Sequence, residues 1–151
     1  MKFLFKTTNS FAPTLARLAL GLVMFPHGAQ KVLGWFGGYG FHGTMNFFTQ
    51  QMHIPAVFAV LAIAAEFLGS LGLITGFLSR IAALGIAVNM LVAIKMVHAA
   101  NGFFINWYGT QKGEGYEYHL LAIGLALIVI IYGAGKASVD AAIAGRANNK
   151  G

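Results

Sequence analysis

The stretch Pro55–Gly76, PAVFAVLAIAAEFLGSLGLITG, decides the fold class. Crossing a hydrocarbon core of about 30 Å takes roughly 20 residues of helix, and this run is long enough and apolar enough to do so. Its single charge, Glu66, falls near the middle. An acidic residue at the centre of a spanning helix costs about 2.5–3.5 kcal/mol on insertion scales. Such a residue turns inward, takes a partner and marks a functional position.

Three further segments have spanning length: Ala12–Leu33, Arg80–Val97 and Tyr116–Gly133. Pro13 and Pro55 suit opening turns, where the missing N–H would be unpaired anyway. The expected fold is an all-α membrane protein, a four-transmembrane-helix bundle with both termini cytoplasmic. The composition agrees: 58% of residues are hydrophobic and 9% charged, against about 25% charged in soluble domains. The chain is organised as a basic arm (1–11), a four-helix membrane domain (12–135) and a cytoplasmic tail (136–151). No second domain and no internal repeat is visible. The N-terminus, MKFLFKTTNSFAP, lacks the small-residue cleavage site of a secretory signal and leads straight into the first helix.

A sequence pI of 9.9 would suggest nucleic acid in a soluble protein. Here the lysines and arginines are scattered and flank apolar segments, as membrane orientation requires. No nucleic-acid partner is expected; the bilayer is. Lys2, Lys6, Arg17, Arg80, Lys136, Arg146 and Lys150 fall on one side, and Lys31, Lys95 and Lys112 on the other. The positive-inside rule then places the termini in the cytoplasm, in a bacterial inner membrane. The short turn at Phe77–Ser79 makes the second and third spans antiparallel neighbours.

Two outer loops are rich in glycine and aromatic residues. In the first, Thr44–Met52 has the pattern of a short interfacial helix, and Trp35, Phe36, Tyr39, Phe41, Phe47 and Phe48 suit a headgroup boundary. The second is Ala99–Glu117. Gly21, Gly28, Gly69, Gly72 and Gly76 allow close helix approach, either within the chain or in a homo-oligomer.

At 1.5 Å per residue, the polar groups at membrane depth concentrate in the outer half. Glu66 lies about 16 Å from the outer boundary, His27 about 9 Å, Lys31 about 3 Å and Lys95 about 4 Å. His27 and Lys31, four apart, share a face; Lys95 and His98 roughly do. Glu117 and His119 open the fourth span. A bundle opening outward would be lined by His27, Gln30, Lys31, Glu66, Lys95, His98, Glu117 and His119. Each has a plainer reading. The lysines can snorkel to the headgroups, His27 can be a packing histidine, Glu117 a helix-start carboxylate and Glu66 half of a structural pair. His42 and His53 suit loop positions, Arg17 an interfacial anchor, and Asn89 the middle of the third span. With no cysteine and no HxxxH or HxxE pattern within a helix, no metal centre is expected, although His98 and His119 could meet across adjacent helices.

Several pieces occur in a telling order. His27-Gly28-Ala29-Gln30-Lys31 is followed by the glycine-rich Gly37–Gly43 and Phe47-Phe48. Ala65-Glu66 follows with Gly69 and Gly72, then His98, Asn101-Gly102-Phe103-Phe104, Glu117, and Gly133-Ala134-Gly135 with Ser138-Val139-Asp140. From Leu15 to Ala142 the chain resembles the DoxX family of small four-helix bacterial membrane proteins. That family takes its name from subunits of an archaeal terminal oxidase and thiosulfate:quinone oxidoreductase system, and other members are linked to oxidative stress. The resemblance implies a membrane redox component with a quinone as substrate or ligand. It attaches those roles to His27, Lys31, Glu66, His98 and Glu117.

Three functions follow. In a quinone-linked oxidoreductase subunit, His27 and Lys31 donate to a quinone and Glu66 holds or relays a proton. Gln30, Lys95, His98, Glu117 and His119 then complete the binding site. No redox-cofactor motif is present, so electrons would come from a protein partner or the substrate. A binding or transport protein would use the same pocket for a small amphiphile or anion. An assembly subunit would use the charges only to hold the bundle together.

Overall fold

The structure, a computed structural model, describes residues 3–148 and the side chains up to residue 145. Lys2 and Lys150, counted above among the cytoplasmic charges, lie outside the described residues, as does the Arg146 side chain. Among the described residues all regular structure is helical: α1 (Ala12–Leu33), α2 (Gly40–Asn46), α3 (Ala56–Thr75), α4 (Ser79–Ala93), α5 (Glu117–Tyr132) and α6 (Val139–Asn148).

The boundaries follow from local chemistry. Pro13 lies in the first turn of α1, and Gly34 ends it in the left-handed region at φ 73°. Pro55 precedes α3, and Gly76 closes it at φ 72°, a conformation that only glycine adopts cheaply. The expected first span coincides with α1, and the expected second is α3 extended by one residue at each end. The third departs from expectation. Regular helix stops at Ala93 and continues as a π-helical turn, Ile94–His98, then a short 3-10 turn to Asn101.

α1 packs on α3, α3 on α4, α4 on α5, and α5 back on α1. Cross-contacts show every neighbouring pair to be antiparallel. Arg17 and Lys31 of α1 bond the end of α3 and Glu66 respectively, while Arg80 of α4 and His98 in the turn that continues it meet Ile130 and His119 of α5. The four helices therefore run alternately between two ends. One end holds the arm, the α3–α4 turn and α6; the other holds both long loops.

The core is built from small and flexible side chains: Ala16, Leu20 and Met24 of α1, Leu73 of α3, Ala83, Ile86, Ala87 and Met90 of α4, and Ala122, Ala126 and Val129 of α5. Small residues let helix backbones come close where lipid removes the ordinary hydrophobic drive to associate. Gly28 is the tightest example, since a Cβ there would stand 2.6 Å from the Phe67 Cα. Gly21 is similarly pressed on Leu73 and Ile74. Both glycines thus serve contacts within the chain.

Large apolar side chains cover the outside of the bundle: Leu22, Phe58, Leu61, Leu68, Leu84, Leu91, Leu121 and Ile131 are all exposed. Two helical stretches are long and apolar enough to cross a membrane: the 20-residue α3, whose mean hydropathy reaches 2.2 over an 18-residue window, and the 23-residue stretch Ser79–Asn101, where it reaches 1.9. α5 is apolar but has only 16 residues, or about 24 Å. Its first turn is held by the second loop. Gly115, Tyr116 and Glu117 donate N–H bonds to the Phe104, Gly102 and Phe103 carbonyls.

Two other features differ from expectation, and the tail adds a helix. The short helix of the first loop starts earlier, at Gly40, and changes to a π-helical turn over Phe47–Gln51. Gly34, Gly37 and Gly40 take positive φ, which folds the chain back tightly over the end of α1. Residues after 135 contain α6, begun by Ser138, whose hydroxyl accepts the Ala141 N–H at 3.2 Å. Arg17 is no interfacial anchor, being 2% exposed. Its guanidinium donates to the carbonyls of Leu73 and Ile74 at 2.8 Å, Ala134 at 2.9 Å and Ala137 at 2.6 Å. These carbonyls belong to the last turn of α3 and the linker before α6, where helical partners run out; that of Leu73 also accepts the Gly76 N–H at 3.3 Å. Asp140 completes the end of the bundle. It accepts the Leu78 and Ser79 N–H groups at 2.8 and 3.0 Å and so caps α4.

Candidate functional site

Lys31 ends α1 and Glu66 lies mid-way along α3. The backbone contact at Gly28 and Phe67 brings these helices close enough for the two side chains to pair. Lys31 Nζ stands 2.5 Å from Glu66 Oε2, with the lysine side chain 25% and the glutamate 8% exposed. The second carboxylate oxygen, Oε1, accepts from Asn89 Nδ2 of α4 at 2.8 Å. Both oxygens of Glu66 are thus engaged, and the carboxylate ties α1, α3 and α4 together. Asn89 has the role that sequence reading missed. Its residue type at mid-span was the available signal, since an amide in an apolar helix must find a partner.

A second group of polar rings lies toward the loop end. Tyr118, half-buried in the first turn of α5, donates its hydroxyl to Met24 Sδ at 3.2 Å. Its ring centroid lies 6.3 Å from that of His27 and 5.5 Å from that of His119. The His119 ring in turn lies 4.1 Å from His98. The π-helical turn at Ile94–His98 shifts the helical phase just where His98 meets α5, and π-turns of this kind often mark functional sites. His98 Nδ1 is 2.8 Å from the Glu114 carbonyl. A carbonyl only accepts, so this nitrogen carries the proton, and in the neutral ring Nε2 keeps its lone pair. His119 is 6% exposed and its Nδ1 has no hydrogen-bond partner.

The histidine pair does not have the geometry of a metal centre. Two imidazoles on one tetrahedral zinc, with Zn–N bonds near 2.0–2.1 Å, hold their centroids roughly 5 Å apart; at 4.1 Å these rings are in direct contact. Among the described residues no group of three or more His, Cys, Asp or Glu is placed to hold a metal ion.

The helices that carry Lys31, Glu66, Asn89 and His98 are the region where a known family is recognised: the DoxX family model matches residues 12–99. The chain belongs to the DoxX family. This agrees with the resemblance seen in its motifs, and with the apolar exterior it makes the chain a membrane protein. No curated protein and no solved structure matches it. α5 and α6, which supply Tyr118, His119 and Asp140, follow the matched region.

The remaining candidates of this DoxX chain are placed as follows. His27 is exposed on α1 beside Tyr118. Gln30 donates to the Phe36 carbonyl at 3.3 Å and so holds the first loop. Lys95, within the π-helical turn, is exposed and joins none of the site's hydrogen bonds. Glu117 accepts the Ile105 N–H at 3.0 Å, and Glu114 the Asn106 N–H at 2.7 Å. Both carboxylates therefore anchor the second loop. His42 and His53 are exposed in the first loop region. Tyr118 was not singled out from the sequence. An aromatic hydroxyl in the first turn of an apolar helix was the signal that could have found it.

Proposed function

We propose that the chain is a four-span protein of the bacterial inner membrane, with cytoplasmic termini, whose outer half binds a quinone headgroup as part of a quinone-linked oxidoreductase or redox-stress system. In this reading the membrane domain is residues 12–135, and the arm and tail face the cytoplasm. The observation that carries it is the Lys31–Glu66–Asn89 cluster inside the helix bundle, in the same half as His27, Tyr118, His98 and His119. Polar groups placed inside a membrane domain are costly and mark ligand or proton sites. A quinone headgroup needs donors at its carbonyl oxygens. Lys31 keeps two N–H groups beyond the one given to Glu66, and His27 offers a ring nitrogen nearby. Electrons would come from a protein partner or the reduced substrate.

An assembly role is the second reading. It is favoured by the saturation of Glu66, both of whose oxygens already have partners. The deciding experiment uses protein in lipid nanodiscs, with the two loop tryptophans, Trp35 and Trp107, as fluorescent reporters titrated with ubiquinone-1 and menadione. Saturable quenching that weakens in Glu66→Gln supports the quinone site. Quenching no greater than for empty nanodiscs, together with no quinone in the lipid extract of gently purified protein, rejects it.

A further inference from the structure

The proposed quinone site has its spare hydrogen-bonding capacity away from its central charge. Glu66 is saturated by Lys31 and Asn89, and Glu114 and Glu117 are spent on loop N–H groups. Two groups in the first turn of α5 are served poorly. The Tyr118 hydroxyl rests on a thioether sulfur, which is a weak acceptor. The buried His119 Nδ1 has no partner, an unfavourable state for a buried polar atom. Their rings stand edge to face, 5.5 Å between centroids, so any movement of Tyr118 changes what covers His119.

We propose that Tyr118 is the binding residue that reads the ring carbonyl of the ligand. Its hydroxyl leaves the Met24 sulfur to donate to a quinone oxygen, and His119 Nδ1 is the second polar atom the headgroup meets. A phenol bonded to sulfur gives up little on transferring to a carbonyl oxygen, so Met24 acts as a resting place that keeps the hydroxyl oriented without competing strongly. His27, whose ring centroid lies 6.3 Å from that of Tyr118, and His98, in contact with His119, flank the headgroup. This inference rests on the quinone reading and adds to it the residue that confers specificity for a carbonyl-bearing ring.

The test compares wild type, Tyr118→Phe and Met24→Leu in nanodiscs, with ubiquinone-1 as the probe. Tyr118→Phe keeps the ring and removes only the hydroxyl. Affinity falls roughly tenfold, the equivalent of one neutral hydrogen bond near 1.4 kcal/mol. Met24→Leu keeps the volume, removes the competing sulfur, and binds at least as tightly as wild type. His119→Gln, if folded by circular dichroism, also weakens binding. Wild-type binding with Tyr118→Phe unchanged overturns the inference and leaves the quinone reading standing. Equal weakening by Met24→Leu and Tyr118→Phe also overturns it, because the pair would then be a structural contact. Failure of wild type to bind overturns the quinone reading and this inference together.

Discussion

The ion pair between Lys31 and Glu66 makes an asymmetric prediction about stability. Replacing Lys31 with Met strands a carboxylate whose side chain is 8% exposed, with Asn89 as its remaining partner. Removing one member of a buried pair typically costs about 3–5 kcal/mol, and the surviving charge-assisted hydrogen bond recovers part of that. A net loss of roughly 2–4 kcal/mol is expected. Glu66→Gln strands the lysine instead, but that side chain is 25% exposed at the end of α1. It can swing its ammonium to the boundary, and the Gln amide still bonds Asn89. Its cost is about 1–2 kcal/mol. The double variant carries no stranded charge, so it is more stable than Lys31→Met alone, with a coupling of at least about 1 kcal/mol. The assay is unfolding of the micelle-solubilised protein by added SDS, followed by far-UV circular dichroism. Equal losses for the two single variants, or strict additivity in the double, would refute the reasoning, since either result means the pair is not buried as described.

Three further outcomes are expected. Gly28→Ala drives α1 off α3, because its Cβ would stand 2.6 Å from the Phe67 Cα. It should lose about 1–3 kcal/mol by overpacking in the same unfolding assay, whereas Gly124→Ala, with open space around it, is neutral or gains up to about 1 kcal/mol in helix propensity. Arg17→Met leaves the Ile74, Ala134 and Ala137 carbonyls bare and Leu73 with only the Gly76 N–H, and should lose more than about 3 kcal/mol. Arg17→Lys does not rescue it, because an ammonium lacks the planar fork; the yield and unfolding midpoint of purified protein measure both. The chain has no cysteine, so single Trp107→Cys and Val139→Cys variants report topology directly. A membrane-impermeant maleimide added to intact cells with a permeabilised outer membrane should label the first and reach the second only after lysis; the opposite pattern reverses the orientation.

Much of the fold was legible because a bilayer imposes length and hydropathy on each helix separately. α1 and α3 could be read almost to the residue from apolar runs bounded by Pro13, Gly34, Pro55 and Gly76. The family could be read from an ordered series of short motifs, and Glu66 stood out because one charge in an apolar run demands a partner. The pairing of Lys31 with Glu66 was one of a few combinations the depths allowed.

What remained was decided by contacts between helices distant in sequence. No local rule says that Asn89 takes the second oxygen of Glu66, that a π-helical turn carries His98 onto His119, or that the hydroxyl of Tyr118 settles on Met24. Nor does one say that Arg17 is drawn inside by carbonyls from two separate chain segments, or that Asp140 caps a helix begun some sixty residues earlier. The sequence by itself determined which segments are helical, how apolar they are and which charge is out of place, because those depend on residues a turn apart. Only the tertiary structure decided which polar atoms are satisfied and which are left over, because a buried hydrogen bond is settled by whichever partner packing brings within about 3 Å.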